Sequence, residues 1–321
     1  MLHRLAILAI TLLPTAALAQ DGAIVERDTV RFSEPQPQWL VEGHLQRSDL
    51  PANLDSVVVQ RITYLSDGLR VKGYLVEPVK GHDLPAVIYN RGGAGPAFTL
   101  DDTTAALYLA PLAQHGYVVV ASQYRGAVGG EGHDEMGGAD VHDVLNLIPL
   151  LEAHPRADAE RIGMYGWSRG GMMTFLALTE TDRVRAAVIG GQSGDPAHDL
   201  PRRPDWDRFR GLLARLIPDF EADPDAALRA RSAIHWAERL HKGTPILYLH
   251  GTADWRSEAS SAIRMAGRLY EVGQPFRFVL FEGGDHGISE HFREVDRQIV
   301  SWLDRYVRDE EPLPDLKLHG D

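Results

Sequence analysis

The chain has 321 residues, 44% of them hydrophobic, a formal net charge of −12 and no cysteine. Such a composition is typical of a folded globular protein with a large core. The absence of cysteine excludes disulfides, thiolate metal sites and a cysteine nucleophile. The acidic balance argues against a nucleic-acid partner, which would require a basic face, and disfavours a membrane-surface role for the same reason.

Residues 1–19 have the pattern of a secretory signal peptide. A short positively charged start precedes the apolar run Leu5–Leu13, and Ala17-Leu18-Ala19 supplies the small residues of a cleavage site. The apolar run is too short to span a bilayer comfortably. We therefore expect a mature chain that begins near Gln20, has no stable membrane insertion and is exported to the periplasm or the medium.

The next segment changes from polar to strand-forming sequence. Residues 20–56 are polar and dotted with proline, which predicts an irregular lead-in. Two runs rich in β-branched and aromatic residues then follow, Val57–Leu65 and Leu69–Glu77, and Ser66-Asp67-Gly68 joins them. This spacing is typical of a β-hairpin. An antiparallel pair of strands is therefore expected to open the sheet.

After the hairpin, short apolar runs alternate with longer stretches of helical periodicity. The predicted strands are Ala86–Tyr89, Tyr117–Ala121, Ile162–Tyr165, Ala186–Ile189, Ile246–Leu249 and Phe276–Phe281, and the predicted helices are Thr104–Gln114, Val141–Ala153, Ser168–Thr179, Ser257–Val272 and Glu290–Val307. This alternation predicts an α/β fold in which a mostly parallel sheet of about eight strands carries helices on both faces. The carboxyl ends of the parallel strands, where such folds bind ligands, then share one edge of the sheet.

One stretch interrupts this alternation. More residues separate the strand near Gly190 from the strand at Ile246 than a crossover helix needs, and many of them are Asp, Arg and Pro. We interpret residues 195–240 as a small helical insertion, a lid over the carboxyl edge of the sheet; the alternative is a disordered loop. The expected organisation is one catalytic domain at residues 57–308, followed by a tail at residues 309–321.

The sharpest local motif is Gly166-Trp167-Ser168-Arg169-Gly170. It directly follows a predicted strand and runs into a predicted helix. A G-x-S-x-G turn in this context holds a serine at a strained corner, and its glycines leave room for neighbouring backbone. Ser168 is therefore the candidate nucleophile.

A serine hydroxyl needs a base, and the base needs an acid that orients it. In this fold both should follow the serine, each just beyond a strand. Asp254 follows one predicted strand and His286 follows the next, which predicts a catalytic triad of Ser168, Asp254 and His286. Asp285 is expected to shape its tight loop, and His250 to be a structural histidine.

A group of acidic and histidine side chains precedes a predicted helix and offers a second candidate site: His133, Asp134, Glu135, Asp140, His142 and Asp143. The spacing of these residues matches no standard pattern of metal ligands. We interpret the group as a solvated loop, with a metal site as the alternative.

Several motifs together resemble the catalytic domain of the prolyl oligopeptidase family of serine peptidases, which has the α/β-hydrolase fold. The similarity spans about residues 57–307, and its motifs are Gly163–Gly171, Leu249–Asp254, Gly284–Gly287, Gln123–Gly126 with the glycines and aspartates that follow it, and Ala159–Gly163. The resemblance implies hydrolysis of short peptides or aminoacyl derivatives through an acyl-enzyme, with no metal or organic cofactor.

The sequence departs from the family pattern in two places. Relatives carry histidine or tyrosine before paired glycines in the oxyanion loop, whereas this chain has Asn90-Arg91-Gly92-Gly93. Residues 20–56 are also too few to form the propeller domain of the family's peptidases. Hydrolysis of carboxylic esters therefore stays open as an alternative, and a non-catalytic binding protein is a second one.

The oxyanion would be held by two backbone donors. We expect the N–H of Arg169 to supply one donor and the Arg91–Gly92 backbone to supply the other. The Arg91 side chain would add a positive charge to the oxyanion site or recognise an acidic substrate group; the alternative is an arginine on the surface.

Overall fold

The computed structural model describes residues 20–32, 54–95 and 98–320. The predicted signal peptide lies outside the described residues. Nine strands form one sheet in the order β1-β2-β3-β5-β4-β6-β7-β8-β9. The strands are β1 Ile24–Thr29, β2 Val57–Ser66, β3 Leu69–Pro78, β4 Leu84–Asn90, β5 Val118–Ser122, β6 Ala157–Trp167, β7 Val184–Gly190, β8 Ile246–Gly251 and β9 Phe276–Phe281.

The sheet has an antiparallel part and a parallel part. Neighbours are antiparallel along β1-β2-β3-β5 and parallel along β5-β4-β6-β7-β8-β9. The predicted hairpin is present, with Asp67 and Gly68 both at positive φ, 52° and 75°. Such a two-residue turn matches the twist of the strands it connects. The carboxyl ends of the parallel strands share one edge, as predicted.

The prediction of an irregular lead-in is wrong for residues 24–29, which form β1 and give the sheet nine strands where about eight were expected. This edge strand is mostly exposed and therefore lacks the apolar alternation that identifies a strand. Charged side chains accompany its pairing: Glu26 contacts Arg70 and Lys72, and Asp28 contacts Arg61 at 2.6 Å. The cross-strand contacts are therefore ionic, which a search for apolar periodicity does not detect.

Ten α-helices lie among the described residues: α1 Asp102–Tyr108, α2 Ala110–Gln114, α3 Val141–Leu145, α4 Leu147–Glu152, α5 Arg169–Ala177, α6 Pro196–Asp199, α7 Trp206–Leu216, α8 Pro224–Arg229, α9 Ala259–Glu271 and α10 Phe292–Leu303. Two predicted helices are each divided in two. Pro111 and Pro149 lie near the starts of α2 and α4, and a proline cannot donate the hydrogen bond that would continue the preceding helix. No helix in the described ranges is long and apolar enough to span a membrane.

The central strands of the sheet are buried on both faces. Val118 and Val120 of β5 contribute to one core cluster, whereas Val119 and Ala121 contribute to the other. Alternate residues of a strand point to opposite faces, so a continuous apolar run is expected where helices cover both sides.

Residues 195–240 are helical and packed, unlike a disordered loop. Leu213, Phe220 and Leu228 of this insertion are buried in the same core cluster as the sheet. The Arg231 guanidinium donates to the carbonyl oxygens of Glu135 and Met136, at 2.8 and 2.6 Å. The insertion therefore contacts the loop that follows β5, at the carboxyl edge of the sheet.

Candidate active site

The predicted nucleophile lies at a sharp turn between β6 and α5. Ser168 has φ 56° and ψ −121°, a strained backbone conformation for a residue with a side chain. A Cβ at Gly166 would approach the carbonyl oxygen of Gly170 to 2.1 Å, and a Cβ at Gly170 would approach that of Asn90 to 1.8 Å. Both glycines are therefore required by neighbouring backbone, as the motif predicts.

The structure brings together the three side chains predicted to form the triad. His286 Nε2 lies 2.9 Å from Ser168 Oγ, and His286 Nδ1 lies 2.7 Å from Asp254 Oδ2. A neutral imidazole with its proton on Nδ1 donates to the aspartate and accepts from the serine hydroxyl. The Asp254 side chain is fully buried, so its charge acts on the imidazole with little screening by water.

The loop after β8 holds Asp254 in place. Its Oδ1 accepts hydrogen bonds from the backbone N–H groups of Arg256 and Ser257, at 2.8 and 3.1 Å. His250 Nε2 donates to the Ser257 carbonyl oxygen at 2.9 Å. Burial lowers the pKa of His250, and its Nδ1 has no hydrogen-bond partner. His250 is therefore a neutral residue that braces the loop, in agreement with its predicted structural role.

Asp285 shapes the loop that carries His286. Its carboxylate accepts hydrogen bonds from the backbone N–H groups of Ser289 and Gly287, both at 2.9 Å, and from the Ser289 hydroxyl. Hydrogen bonding from the Ser289 backbone lowers the pKa of Asp285. These contacts agree with the predicted loop-shaping role and leave Asp254 as the partner of the imidazole.

The predicted oxyanion loop follows β4 and lies against the serine. A Cβ at Gly92 would be 3.4 Å from Ser168 Cβ and 3.0 Å from the Trp167 carbonyl oxygen. Arg169 is the first residue of α5, so its backbone N–H has no acceptor within the helix. Both predicted donor groups therefore lie beside the serine.

The Arg91 side chain does not lie on the surface, so that one of its two interpretations is wrong. It is 1% exposed, and its guanidinium donates to the carbonyl oxygens of Gln123, Gly92, Gly93 and Phe98. Burial and the nearby Arg169 lower the pKa of Arg91 to about 10. The guanidinium thus braces the oxyanion loop from within the protein.

The prediction of a solvated acidic loop is wrong for Asp134, Asp140 and Asp143, although His133 and His142 of the same group are exposed. Asp134 and Asp140 receive hydrogen bonds from Arg169 at 2.6 to 2.8 Å, and Asp143 receives hydrogen bonds from Arg125. Burial opposes ionisation of Asp134, but the hydrogen bonds from Arg169 outweigh it and lower its pKa. For Asp143, burial dominates and raises the pKa. Asp134 and Asp140 thus form buried ion pairs with Arg169 beneath the serine turn, and Asp143 forms one with Arg125.

The metal alternative for this cluster finds no support in the described part of the chain. There, the side chains that bring three potential ligand atoms within 4.8 Å of one another are His198, Asp199 and Glu258. The Asp199 carboxylate already accepts hydrogen bonds from the Ser261 hydroxyl and the Glu258 backbone.

A buried tyrosine contacts both segments that carry the predicted oxyanion donors, and the sequence motifs predict no role for it. Tyr124 follows β5 with φ 62° and is fully buried. Two guanidinium groups lie against its ring, that of Arg91 at 4.7 Å and that of Arg169 at 4.5 Å from the ring centre. The residues that meet here are 33 and 45 positions apart in the chain and belong to three strand ends, so no local spacing could have indicated the contact.

The sheet and its helices have the α/β-hydrolase fold, and the chain is a serine hydrolase. The model of the prolyl oligopeptidase family matches residues 103–310, so the chain belongs to this family of serine peptidases. A Bacillus subtilis protein described as the uncharacterized peptidase YtmA is 26% identical over 261 residues, which cover 81% of this chain and 98% of that protein.

Larger relatives match over part of their length. Dipeptidyl-peptidase 5 of Porphyromonas gingivalis is 25% identical, over 76% of this chain and 37% of its own length. The structure of Pyrococcus horikoshii acylaminoacyl peptidase superposes with a TM-score of 0.66 at 22% identity, over 82% of this chain and 43% of that one. The chain thus spans nearly all of YtmA and less than half of these two peptidases.

Proposed function

We propose that this protein is an exported serine peptidase that cleaves short peptides or aminoacyl derivatives through an acyl-enzyme. The observation that carries the proposal is the hydrogen-bonded series from Ser168 to His286 to Asp254, with distances of 2.9 and 2.7 Å. A serine hydroxyl becomes nucleophilic when a base accepts its proton and an acid holds the base in the correct tautomer.

In the acylation step, Ser168 Oγ attacks the substrate carbonyl while its proton moves to His286 Nε2. The negative charge on the carbonyl oxygen is stabilised by the N–H groups of Arg169 and Gly92. His286 then donates the proton to the leaving amine as the C–N bond breaks, which leaves an acyl group on the serine. Asp254 stabilises the transient imidazolium.

Deacylation repeats the same steps with water. His286 removes a proton from water, whose oxygen attacks the acyl carbonyl, and then returns that proton to Ser168 Oγ as the ester bond breaks. The products are a carboxylic acid and the free enzyme. No metal or organic cofactor takes part, because the proton carrier and the nucleophile are both side chains.

The preference for peptides rests on the family and on the relatives named as peptidases. The same acyl-enzyme chemistry cleaves carboxylic esters, so the substrate class requires a direct comparison. We would measure rates on aminoacyl and peptidyl arylamides and on short acyl arylesters in parallel. Turnover of both classes is expected, whereas turnover of esters alone would contradict the peptidase proposal.

Two variants connect the measured activity to the proposed serine. Ser168→Ala should lose turnover of every substrate. Ser260→Ala, which replaces a serine on the exposed face of α9, should keep wild-type rates. Equal activity of wild type and Ser168→Ala would assign the reaction to another group.

Export is proposed from the pattern of residues 1–19. Expression of the full chain in a bacterium should release a product whose first residue, by N-terminal sequencing, lies near Gln20. Cell fractionation should recover it outside the cytoplasm. A soluble cytoplasmic product that retains Met1 would contradict the proposal.

A further inference from the structure

Tyr124 connects the two parts of the site that are proposed to bind the oxyanion. The centre of its ring lies 4.7 Å from the guanidinium carbon of Arg91, in the loop that carries Gly92, and 4.5 Å from that of Arg169, in the helix that begins after Ser168. Both faces of an aromatic ring are electron-rich and attract cations. The ring therefore attracts two like charges that would otherwise repel each other.

The hydroxyl of Tyr124 makes a second connection. It donates a hydrogen bond to the Arg91 carbonyl oxygen at 3.0 Å. That oxygen and the N–H of Gly92 belong to one peptide group. A hydrogen bond to the oxygen of a peptide polarises the group and makes its N–H a stronger donor. The contact thus acts on the N–H group proposed to face the substrate oxyanion.

The backbone holds Tyr124 in a conformation that places it there. A positive φ at a bulky residue costs free energy, so neighbouring contacts must enforce it. The N–H of Tyr124 donates to Ser122 Oγ at 2.9 Å, and the next N–H, of Arg125, donates to Asp143 Oδ2 at 2.6 Å. Asp143 is buried and paired with the Arg125 guanidinium. The strained turn is therefore fixed on both sides.

We propose that Tyr124 is a positioning residue of the oxyanion hole: its ring holds the Gly92 loop and the serine helix together, and its hydroxyl polarises the Arg91–Gly92 peptide. This inference rests on the proposed serine hydrolase mechanism. Tyr124 does not contact the reacting atoms; it acts through the N–H of Gly92.

The test compares Tyr124→Phe with a matched control. Phenylalanine keeps the ring beside the two guanidinium groups and removes the hydroxyl. Tyr117→Phe is the control, because Tyr117 is also buried, lies 4.8 Å from the guanidinium of Arg308 and donates through its hydroxyl to Asp304. Tyr117 precedes β5, whereas Tyr124 follows that strand. Tyr117→Phe therefore removes a comparable hydroxyl contact at the opposite edge of the sheet.

We expect Tyr124→Phe to lower kcat about tenfold with KM changed by less than about twofold, because the N–H of Gly92 acts on the charge that develops after binding. A peptide aldehyde, which forms an oxyanion when Ser168 attacks it, should inhibit this variant about tenfold more weakly. Tyr117→Phe should leave both values unchanged. A purely structural role for Tyr124 would lower the unfolding midpoint without changing the aldehyde inhibition constant of the folded enzyme.

Wild-type kinetics distinguish the two proposals. If the wild type turns over no acyl substrate, the proposed function fails. If the wild type is active and Tyr124→Phe has wild-type kcat and aldehyde inhibition, the role of Tyr124 is refuted while the hydrolase mechanism stands. An equal loss in Tyr117→Phe would also refute it, since the effect would then follow from any buried hydroxyl.

Discussion

The buried ion pairs beneath the serine turn make a strong prediction about stability. Arg169 is 1% exposed in its side chain, and its partners Asp134 and Asp140 are 12% and 0% exposed. Replacing Arg169 by methionine keeps most of the aliphatic length and removes the positive charge. Two carboxylates then remain buried with no guanidinium to pair with them.

The expected loss follows from this burial. Removing one partner of a buried ion pair costs about 3–5 kcal/mol, because the other charge stays desolvated. An exposed pair contributes about 0.5 kcal/mol or less. Arg297 provides the matched control: it lies 3.2 Å from Glu294, and the two side chains are 66% and 45% exposed. Arg297→Met removes the same chemical group from a solvated setting.

Urea unfolding at neutral pH, followed by circular dichroism, measures both variants. Arg169→Met should lower the free energy of unfolding by about 3–5 kcal/mol or fail to fold, and Arg297→Met should stay within about 0.5 kcal/mol of wild type. Equal small losses in the two variants would refute the account of a buried network and restore the interpretation of a solvated acidic loop.

Three further outcomes are expected. Asp254→Asn should lower kcat about 10³- to 10⁴-fold on an acyl ester with little change in KM, because the imidazole loses the partner that fixes its tautomer; an unchanged kcat would contradict this role. Burial lowers the pKa of His250 below its ordinary 6.5, so the unfolded chain protonates this imidazole more readily than the folded chain does. Stability should therefore fall as pH drops below about 6.5. Urea unfolding at about pH 7.5 and 5.5 should reveal a smaller pH effect in His250→Gln than in wild type, and an equal effect would contradict the assignment. Gly170→Ala places a Cβ 1.8 Å from the carbonyl oxygen of Asn90, at the end of β4, and should lower the free energy of unfolding by at least about 2 kcal/mol in the same assay. Gly267→Ala, with open space around its Cβ, should raise it by up to about 1 kcal/mol. Equal effects of the two substitutions would contradict the close approach at Gly170.

The central parallel strands are predictable from sequence because β4, β5, β7 and β8 are almost entirely buried and therefore appear as short apolar runs. The edge strand β9 is only partly buried, but its run of aromatic and aliphatic residues predicts its observed bounds, Phe276–Phe281. The site could be predicted for a related reason. Chain order places Ser168, Asp254 and His286 just beyond strands whose carboxyl ends share one edge, so topology alone brings the three side chains together.

Polar contacts between distant segments could not be predicted in this way. An aspartate in a buried ion pair and an aspartate in water can have the same local sequence. Asp140 follows β5 and Arg169 follows β6, so the two side chains meet only when β4 has paired with both strands. Arg91 was misjudged for the same reason, since its acceptors are backbone carbonyl oxygens. Strand β1 was missed because its contacts are ionic and its side chains are exposed.

The central claim is that Ser168 is the nucleophile of an acyl-transfer reaction. An alkyl fluorophosphonate reacts with an activated serine and leaves a covalent phosphonyl adduct that intact-protein mass spectrometry detects. We expect one adduct on the wild type, mapped by peptide sequencing to Ser168, and no adduct on Ser168→Ala. An unlabelled wild type, or equal labelling of Ser168→Ala, would contradict the account.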